Sequence, residues 1–150
     1  MMAANPLVQG PGVPANLLLR QAHVLDPRVG IDARHDVRVR GGEIVELAPP
    51  GTLEPAGDEE AIDAQGRTLL PAFFDPHVHL RTPGQEHKED LETGTRAAAA
   101  GGFRGAIAMP NTDPVLDSAP LLRSLRDAAA REARIPVGFL GAITRGLEGE

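Results

Sequence analysis

From residue 68 onward, short apolar runs alternate with longer helical segments, and this alternation constrains the fold more than any other feature of the chain. Thr68-Leu69-Leu70-Pro71-Ala72-Phe73-Phe74 is apolar on both faces, as a strand buried in a parallel sheet should be. Lys88 to Ala100 has acids near its start and Gly101-Gly102 after its end, which are helix start and stop signals. Gly105 to Met109 reads as a second short apolar strand. Asp117 or Ser118 can cap the next helix, with Pro120 in its first turn. Leu121, Leu122, Leu125, Ala128 and Ala129 form its buried stripe up to about Ala133. Ile135 to Ile143 is a third strand, and Thr144 to Glu150 leaves it. Strand, helix, strand, helix, strand predicts parallel β-α units with right-handed crossovers. The expected class is α/β, the first two to three units of a TIM-type (β/α)8 barrel. A complete barrel needs about 200 residues at least, so 68–150 reads as an incomplete barrel and the chain as the front of a larger protein.

The residues before this pattern are organised differently. Met1 to Ala15 holds Asn5-Pro6, Gly10-Pro11-Gly12 and Pro14 without periodicity, and a disordered tail is expected. Residues 16–67 read as a small β-sandwich module. Leu17 to Leu25 fits a first strand ended by Asp26-Pro27. Asp36 to Arg40 alternates strictly, Gly41-Gly42 turns, and Glu43 to Leu47 returns, a hairpin with one wet face. Ala61 to Ala64 is one more short strand, and Gln65-Gly66 turns the chain into the apolar run. His23 and His35 fall in or beside these strands with no acidic or His partner expected nearby, and read as ordinary half-exposed histidines.

Composition excludes several classes of function. The net charge of -6 leaves no basic patch, and four Phe with no Tyr or Trp offer few stacking surfaces for nucleic acid. With no Cys there are no disulfides, and any metal must be held by His and carboxylates. No stretch approaches the roughly 18 to 20 apolar residues of a membrane span, and a cytoplasmic protein is expected.

The polar stretch Asp75-Pro76-His77-Val78-His79-Leu80-Arg81 begins where the first buried strand stops. Alternation along a strand puts His77, His79 and Arg81 on one face, roughly 6 to 7 Å from one to the next. Two imidazoles so placed can close on one metal ion and leave positions for other ligands or water. An Arg beside a cation is reasonable when an anion, such as a substrate carboxylate, lies between them. The C-terminal end of a barrel strand is also where such folds place their chemistry. Asp75 reads equally as a partner behind an imidazole or as a strand-end cap. Pro110-Asn111-Thr112-Asp113-Pro114 forms the polar loop at the end of the second strand and brings Asn111 to the same rim, although Pro-Asn is also ordinary turn chemistry. His87 reads as an exposed flank residue.

Asp63-Ala64-Gln65-Gly66, Leu70-Pro71 and Asp75-Pro76-His77-Val78-His79 resemble the opening motif of the amidohydrolase superfamily. Leu80-Arg81, Thr82-Pro83-Gly84-Gln85-Glu86, Gly94-Thr95, Gly101-Gly102-Phe103 and Met109-Pro110-Asn111-Thr112 resemble dihydroorotases of the longer-chain bacterial class. The resemblance implies that His77 and His79 bind zinc, with two ions expected in a full-length protein, and that Arg81 and Asn111 hold the substrate carboxylate. It implies reversible cyclisation of N-carbamoyl-L-aspartate to (S)-dihydroorotate with loss of water, in de novo pyrimidine biosynthesis, through a zinc-activated hydroxide. The family's catalytic Asp and its remaining ligands, a bridging carboxylate or carboxylated Lys and two further His, are expected beyond Glu150. No catalytic residue is therefore assigned within this chain, and the 150-residue piece is expected to be inactive alone. Lys88, in the loop before a helix, is no substitute for the carboxylated ligand. Ala72 and Arg104-Gly105 depart from the usual pattern.

Two other readings stay open. One is a hydantoinase, dihydropyrimidinase or allantoinase, which opens a cyclic amide without needing an Arg for a substrate carboxylate. The other is a non-catalytic scaffold for aspartate carbamoyltransferase, for which loss of the metal ligands would be the mark. A homo-oligomer is expected at full length, with a small-molecule substrate.

Overall fold

The computed structural model describes residues 15–149. The expected tail lies, apart from Ala15, outside the described residues. The chain divides between Pro71 and Ala72 into two compact units.

The first unit is built on a long strand, β1 (Leu17–Asp26), paired antiparallel with β2 (Ile31–Arg40), which pairs in turn with β3 (Glu43–Ala48). The hairpin between β2 and β3 turns on Gly41 and Gly42, both at positive φ (58° and 81°), the twist-matched two-residue turn that the Gly-Gly pair predicts. β4 (Glu60–Asp63) and β5 (Thr68–Leu69) both pair parallel with β1, one after the other along its length. The expected sandwich is thus one mixed five-stranded sheet. The reason lies in β1: its register with β2 slips between Leu19 and Ala22, where Gln21 adopts φ 55°, and this bulge lets its two halves take different parallel partners. Ala22, Val24 and Val37 form the buried centre, with Leu19, Ile31, Ala64 and Leu69 against them. Asp36 is buried beside them and accepts the N–H groups of Gln21 (2.8 Å) and Leu53 (3.1 Å). His23 has an acidic partner after all. The β1–β2 register brings its Nε2 to 2.6 Å from Asp32 Oδ1, a contact between residues nine apart that sequence proximity does not reveal.

The run from Thr68 to Phe74 is not one strand. Thr68–Leu69 closes the first unit as β5, and a new strand, β6 (Phe73–Val78), opens the second. Pro71 interrupts them because it has no N–H to give a ladder. Both phenylalanines of β6 are more than two-fifths exposed, so the expected burial on both faces is not realised among the described residues.

In the second unit β6 leads through α1 (Leu91–Ala100) to β7 (Phe103–Ala108), and through α2 (Ala119–Glu132) to β8 (Val137–Phe139). All pairings are parallel and the order β6-β7-β8 runs one way without reversal, as an open sheet. Helix α1 begins at Leu91 with Asp90 as its cap, later than the acids suggested. Asp90 Oδ1 accepts the Thr93 N–H at 2.7 Å while Thr93 Oγ1 accepts the Asp90 N–H at 3.2 Å, a reciprocal capping box. Ser118 precedes α2 but makes no side-chain cap; Pro120 in the first turn sets the start instead. Of the predicted stripe, Leu125 and Ala129 are fully buried. The third strand is three residues long, not nine, since β8 finds partners only opposite Ala106 to Ala108. Leu80, Leu91, Ala108, Ala129, Ala133 and Val137 make the core, with helices and sheet interleaved. Buried Thr95 ties the layers. Its hydroxyl donates to the Leu91 carbonyl and accepts the Arg134 N–H at 2.9 Å.

Candidate active site

The rim at the C-terminal ends of β6 and β7 collects the polar residues singled out above. Pro76 has no N–H for the β6–β7 ladder, and the register slips there: Asp75 faces Ala106, whereas Val78 faces Ala108. Asp75 Oδ1 accepts the His77 N–H at 2.9 Å. Asp75 therefore supports the backbone of His77, and among the described residues it makes no hydrogen bond to either imidazole. Past the slip, Val78 returns to the ladder and its carbonyl accepts the Met109 N–H at 2.9 Å.

His77 is exposed and His79 half-buried, and their ring centroids lie 5.3 Å apart with the planes at 66°. Leu80, directly after His79, is 4 % exposed and anchors the strand end in the core. Gly94 packs closely on that anchor: a Cβ there would lie 2.6 Å from Leu80 Cδ2, and the leucine side chain would have to shift. His79 Nδ1 is 2.8 Å from Asn111 Oδ1, so residues 32 apart in sequence meet at the rim. A carbonyl oxygen only accepts, so this contact is a hydrogen bond when Nδ1 carries the proton.

Strand alternation does not place Arg81. The strand ends at Val78, and Arg81 has φ 60°, so the regular spacing from His79 to Arg81 does not hold. Its carbonyl accepts the Gln85 N–H at 3.0 Å, closing a turn. Among the described residues its guanidinium has no hydrogen-bond or ion-pair partner, which leaves the fork available to an anion.

A backbone staple joins the loops that carry Arg81 and Asn111. The Asp113 N–H donates to the Pro83 carbonyl at 3.0 Å, and the Gly84 N–H donates to the Glu86 carboxylate at 2.9 Å from each oxygen. Gly84 lies so close to the second loop that a Cβ on it would sit 1.9 Å from the Asp113 carbonyl oxygen. Within the second loop Thr112 Oγ1 donates to the Pro114 carbonyl at 2.7 Å, and the Leu116 N–H to the Pro110 carbonyl at 3.0 Å. Sequence reasoning missed Gly84; the Pro83-Gly84 pair signalled a turn, not a crossing of two loops. His87 is exposed, as expected of a flank residue.

The donor set suits a metal ion in part. Two imidazoles from one strand end stand within the span of a shared ion, and one has its second ring nitrogen fixed by a carbonyl, as metal-bound histidines ordinarily do. Among the described residues no group of three or more His, Asp or Glu side chains converges. Among the described residues the rim therefore holds two imidazoles, against the four ligands that a structural zinc site uses.

A family model described as dihydro-orotase-like matches residues 66–150. A dihydroorotase from Citrifermentans bemidjiense is 47% identical over 135 residues, covering 90% of this chain and 31% of the relative. The chain thus spans about a third of the length of the curated relatives it matches. A dihydropyrimidinase from Brevibacillus agri NCHU1002 superposes with a TM-score of 0.69 at 28% identity, covering 85% of this chain and 27% of that one. An L-hydantoinase from Arthrobacter aurescens gives 0.74 at 19% identity, covering 85% and 28%, a likeness of fold. The architecture is accordingly a (β/α)-type amidohydrolase fold related to the hydantoinases and dihydropyrimidinases.

Proposed function

Because the chain belongs to the dihydroorotase-like family, we propose that it supplies the metal-binding and carboxylate-binding rim of a dihydroorotase. The reaction is the reversible interconversion of N-carbamoyl-L-aspartate and (S)-dihydroorotate plus water in pyrimidine biosynthesis. The observation that carries this reading is the meeting of His79 and Asn111 at 2.8 Å beside His77, with the unpartnered Arg81 fork on the adjoining loop. His77 and His79 would hold zinc. When bound, zinc lowers the pKa of water toward ~7 and polarises the attacked carbonyl.

The chain's own groups orient the substrate. Arg81 offers two parallel N–H donors to a carboxylate. Asn111, whose oxygen is engaged by His79, keeps its amide N–H groups for the same anion. Fixing the acid at both places sets the ring or open chain relative to the imidazoles, and the staple between the loops keeps the two donors in register.

We read the second unit as part of a TIM-type barrel. A sheet whose order proceeds without reversal is unlike a doubly wound one, and Phe73, Phe74, Leu140 and Ile143 stay exposed on or beyond its strands. Two metal ligands and open strand edges are too little for turnover, so the 150-residue chain alone is expected to be inactive. Aspartate carbamoyltransferase and further copies of the chain are the proposed protein partners.

The second reading, a hydantoinase or dihydropyrimidinase, is favoured by the structural likenesses alone and leaves the Arg81 fork without a task. A chimera decides between them, with this chain replacing the matching third of the 47%-identical relative. It should hydrolyse dihydroorotate, and Arg81→Met should raise KM for dihydroorotate with a smaller change in kcat. A chimera that opens hydantoin or allantoin in preference to dihydroorotate would reject the proposal.

A further inference from the structure

We propose that Asn111 is a positioning residue for His79. Its Oδ1 selects the tautomer with the proton on Nδ1 and so presents Nε2, unprotonated, to a metal ion. The metal half of this statement rests on the function proposed above, whereas the tautomer does not.

The two histidines are a matched pair. Both lie at the end of β6, two residues apart, and both rings face the same rim. Among the described residues the His77 ring nitrogens have no hydrogen-bond partner, whereas His79 Nδ1 has one, at 2.8 Å from an amide oxygen. A neutral imidazole in water ordinarily prefers its proton on Nε2, the nitrogen a metal would need free. Turning the proton to Nδ1 beforehand removes that cost from metal binding, and holding the ring removes part of its rotational freedom.

Asn111 itself is placed by backbone devices that do not involve His79. The Thr112 and Leu116 N–H groups both bond to the Pro110 carbonyl, and Asp113 is tied to Pro83. The loop therefore holds its shape if the amide is removed, and a substitution at 111 reads out the contact and not the fold.

The experiment uses the 150-residue chain with 15N-labelled histidine, metal-free, at a pH where the imidazoles are neutral. Long-range proton-nitrogen spectra assign the tautomer of each ring, and His77 serves as the internal control. His79 should show a protonated Nδ1 and an unprotonated Nε2, and His77 the ordinary mixture. In Asn111→Ala the His79 pattern should collapse onto that of His77, while Asn111→Asp, which keeps an acceptor, restores it. In the chimera described above, which supplies the ligands this chain lacks, titration with zinc against a chelating dye should show affinity weakened about 10- to 100-fold by Asn111→Ala and retained by Asn111→Asp.

A wild-type His79 protonated on Nε2, or a pattern unmoved by Asn111→Ala, overturns the assignment. Unchanged zinc affinity in Asn111→Ala overturns its consequence for the metal. Should no form of the chimera bind zinc while the tautomer follows residue 111, the positioning contact stands and the metal reading fails. The two ideas are thus separately refutable.

Discussion

Replacing Gly84 by alanine tests whether the staple between the two rim loops holds them together. Two penalties are expected. The first is conformational: Gly84 has φ 93°, and an L-residue held at positive φ costs about 1–2 kcal/mol. The second is a collision, because the new methyl would start 1.9 Å from the Asp113 carbonyl oxygen and 2.8 Å from its carbonyl carbon and Cβ. These are mostly backbone atoms that cannot swing away, so one loop has to retreat by about 1 Å, at an overpacking cost of about 1–3 kcal/mol. The same retreat stretches the 3.0 Å bond from the Asp113 N–H to the Pro83 carbonyl.

Gly102→Ala separates the two penalties within the same unit. Gly102 has φ 81°, but a Cβ there would meet only Phe73 Cδ2 at 3.9 Å. It carries the conformational cost without the collision. Urea unfolding of both variants should therefore show Gly84→Ala less stable than Gly102→Ala by about 1–3 kcal/mol. Hydrogen exchange at the Asp113 amide should accelerate in Gly84→Ala alone. Equal stabilities within about 0.5 kcal/mol, with Asp113 equally protected in both, would refute the staple.

Other outcomes follow from individual contacts. Thr95→Val removes the acceptor of the Arg134 N–H and should lower the stability of the second unit by about 1–3 kcal/mol in urea unfolding, with α1 still helical by circular dichroism. Asp36 predicts a pH dependence. Burial alone would raise its pKa, but the N–H groups of Gln21, Gly51, Leu53 and Thr52 together outweigh burial and hold the carboxyl below the ordinary aspartate range. A depressed folded pKa means that the group's contribution is complete above the unfolded value of about 4 and is lost as the pH falls from there through the folded value. The substitution Asp36→Asn should destabilise the first unit at neutral pH and flatten the acid limb of its stability curve; an unchanged limb would show that another group governs it. Arg81→Lys in the chimera, which keeps the charge but loses the paired donors, should raise KM for dihydroorotate nearly as much as Arg81→Met. Full rescue by lysine would mean that charge alone is read.

Local chemistry was legible where one or two residues decide the backbone. The Gly41-Gly42 turn, the short strand near Ala61 and the alternation of strands and helices after residue 72 follow directly from turn residues and apolar spacing. Errors arose where a run of similar hydrophobicity hid a break. Leu70-Pro71 reads as the middle of an apolar strand, yet the missing N–H of proline ends one sheet there and another begins. Ile135 to Ile143 is apolar throughout, but a strand extends only as far as a neighbour offers backbone groups, and β7 offers three. The acids before α1 marked its start to within a few residues, while choosing Asp90 as cap required the reciprocal bond from Thr93.

The candidate site divides along the same line. Residue types and strand ends sufficed to bring His77, His79 and Asn111 to one rim, because parallel β-α units place every strand's C-terminal end on the same side. Alternation could not place Arg81. A strand period applies only while the chain remains extended, and the φ of 60° at Arg81 lies beyond the end of β6. Its availability to an anion depends instead on the loop that follows, hence on Gly84 and the Pro83–Asp113 bond. The rim thus has two levels of control: imidazole positions tied to the sheet and to the Asn111 amide, and the backbone of the loop that carries Arg81 tied to the second loop by the Pro83–Asp113 bond. Damage to the second level should impair carboxylate binding while leaving the tautomer of His79 intact, and damage at Asn111 should impair both.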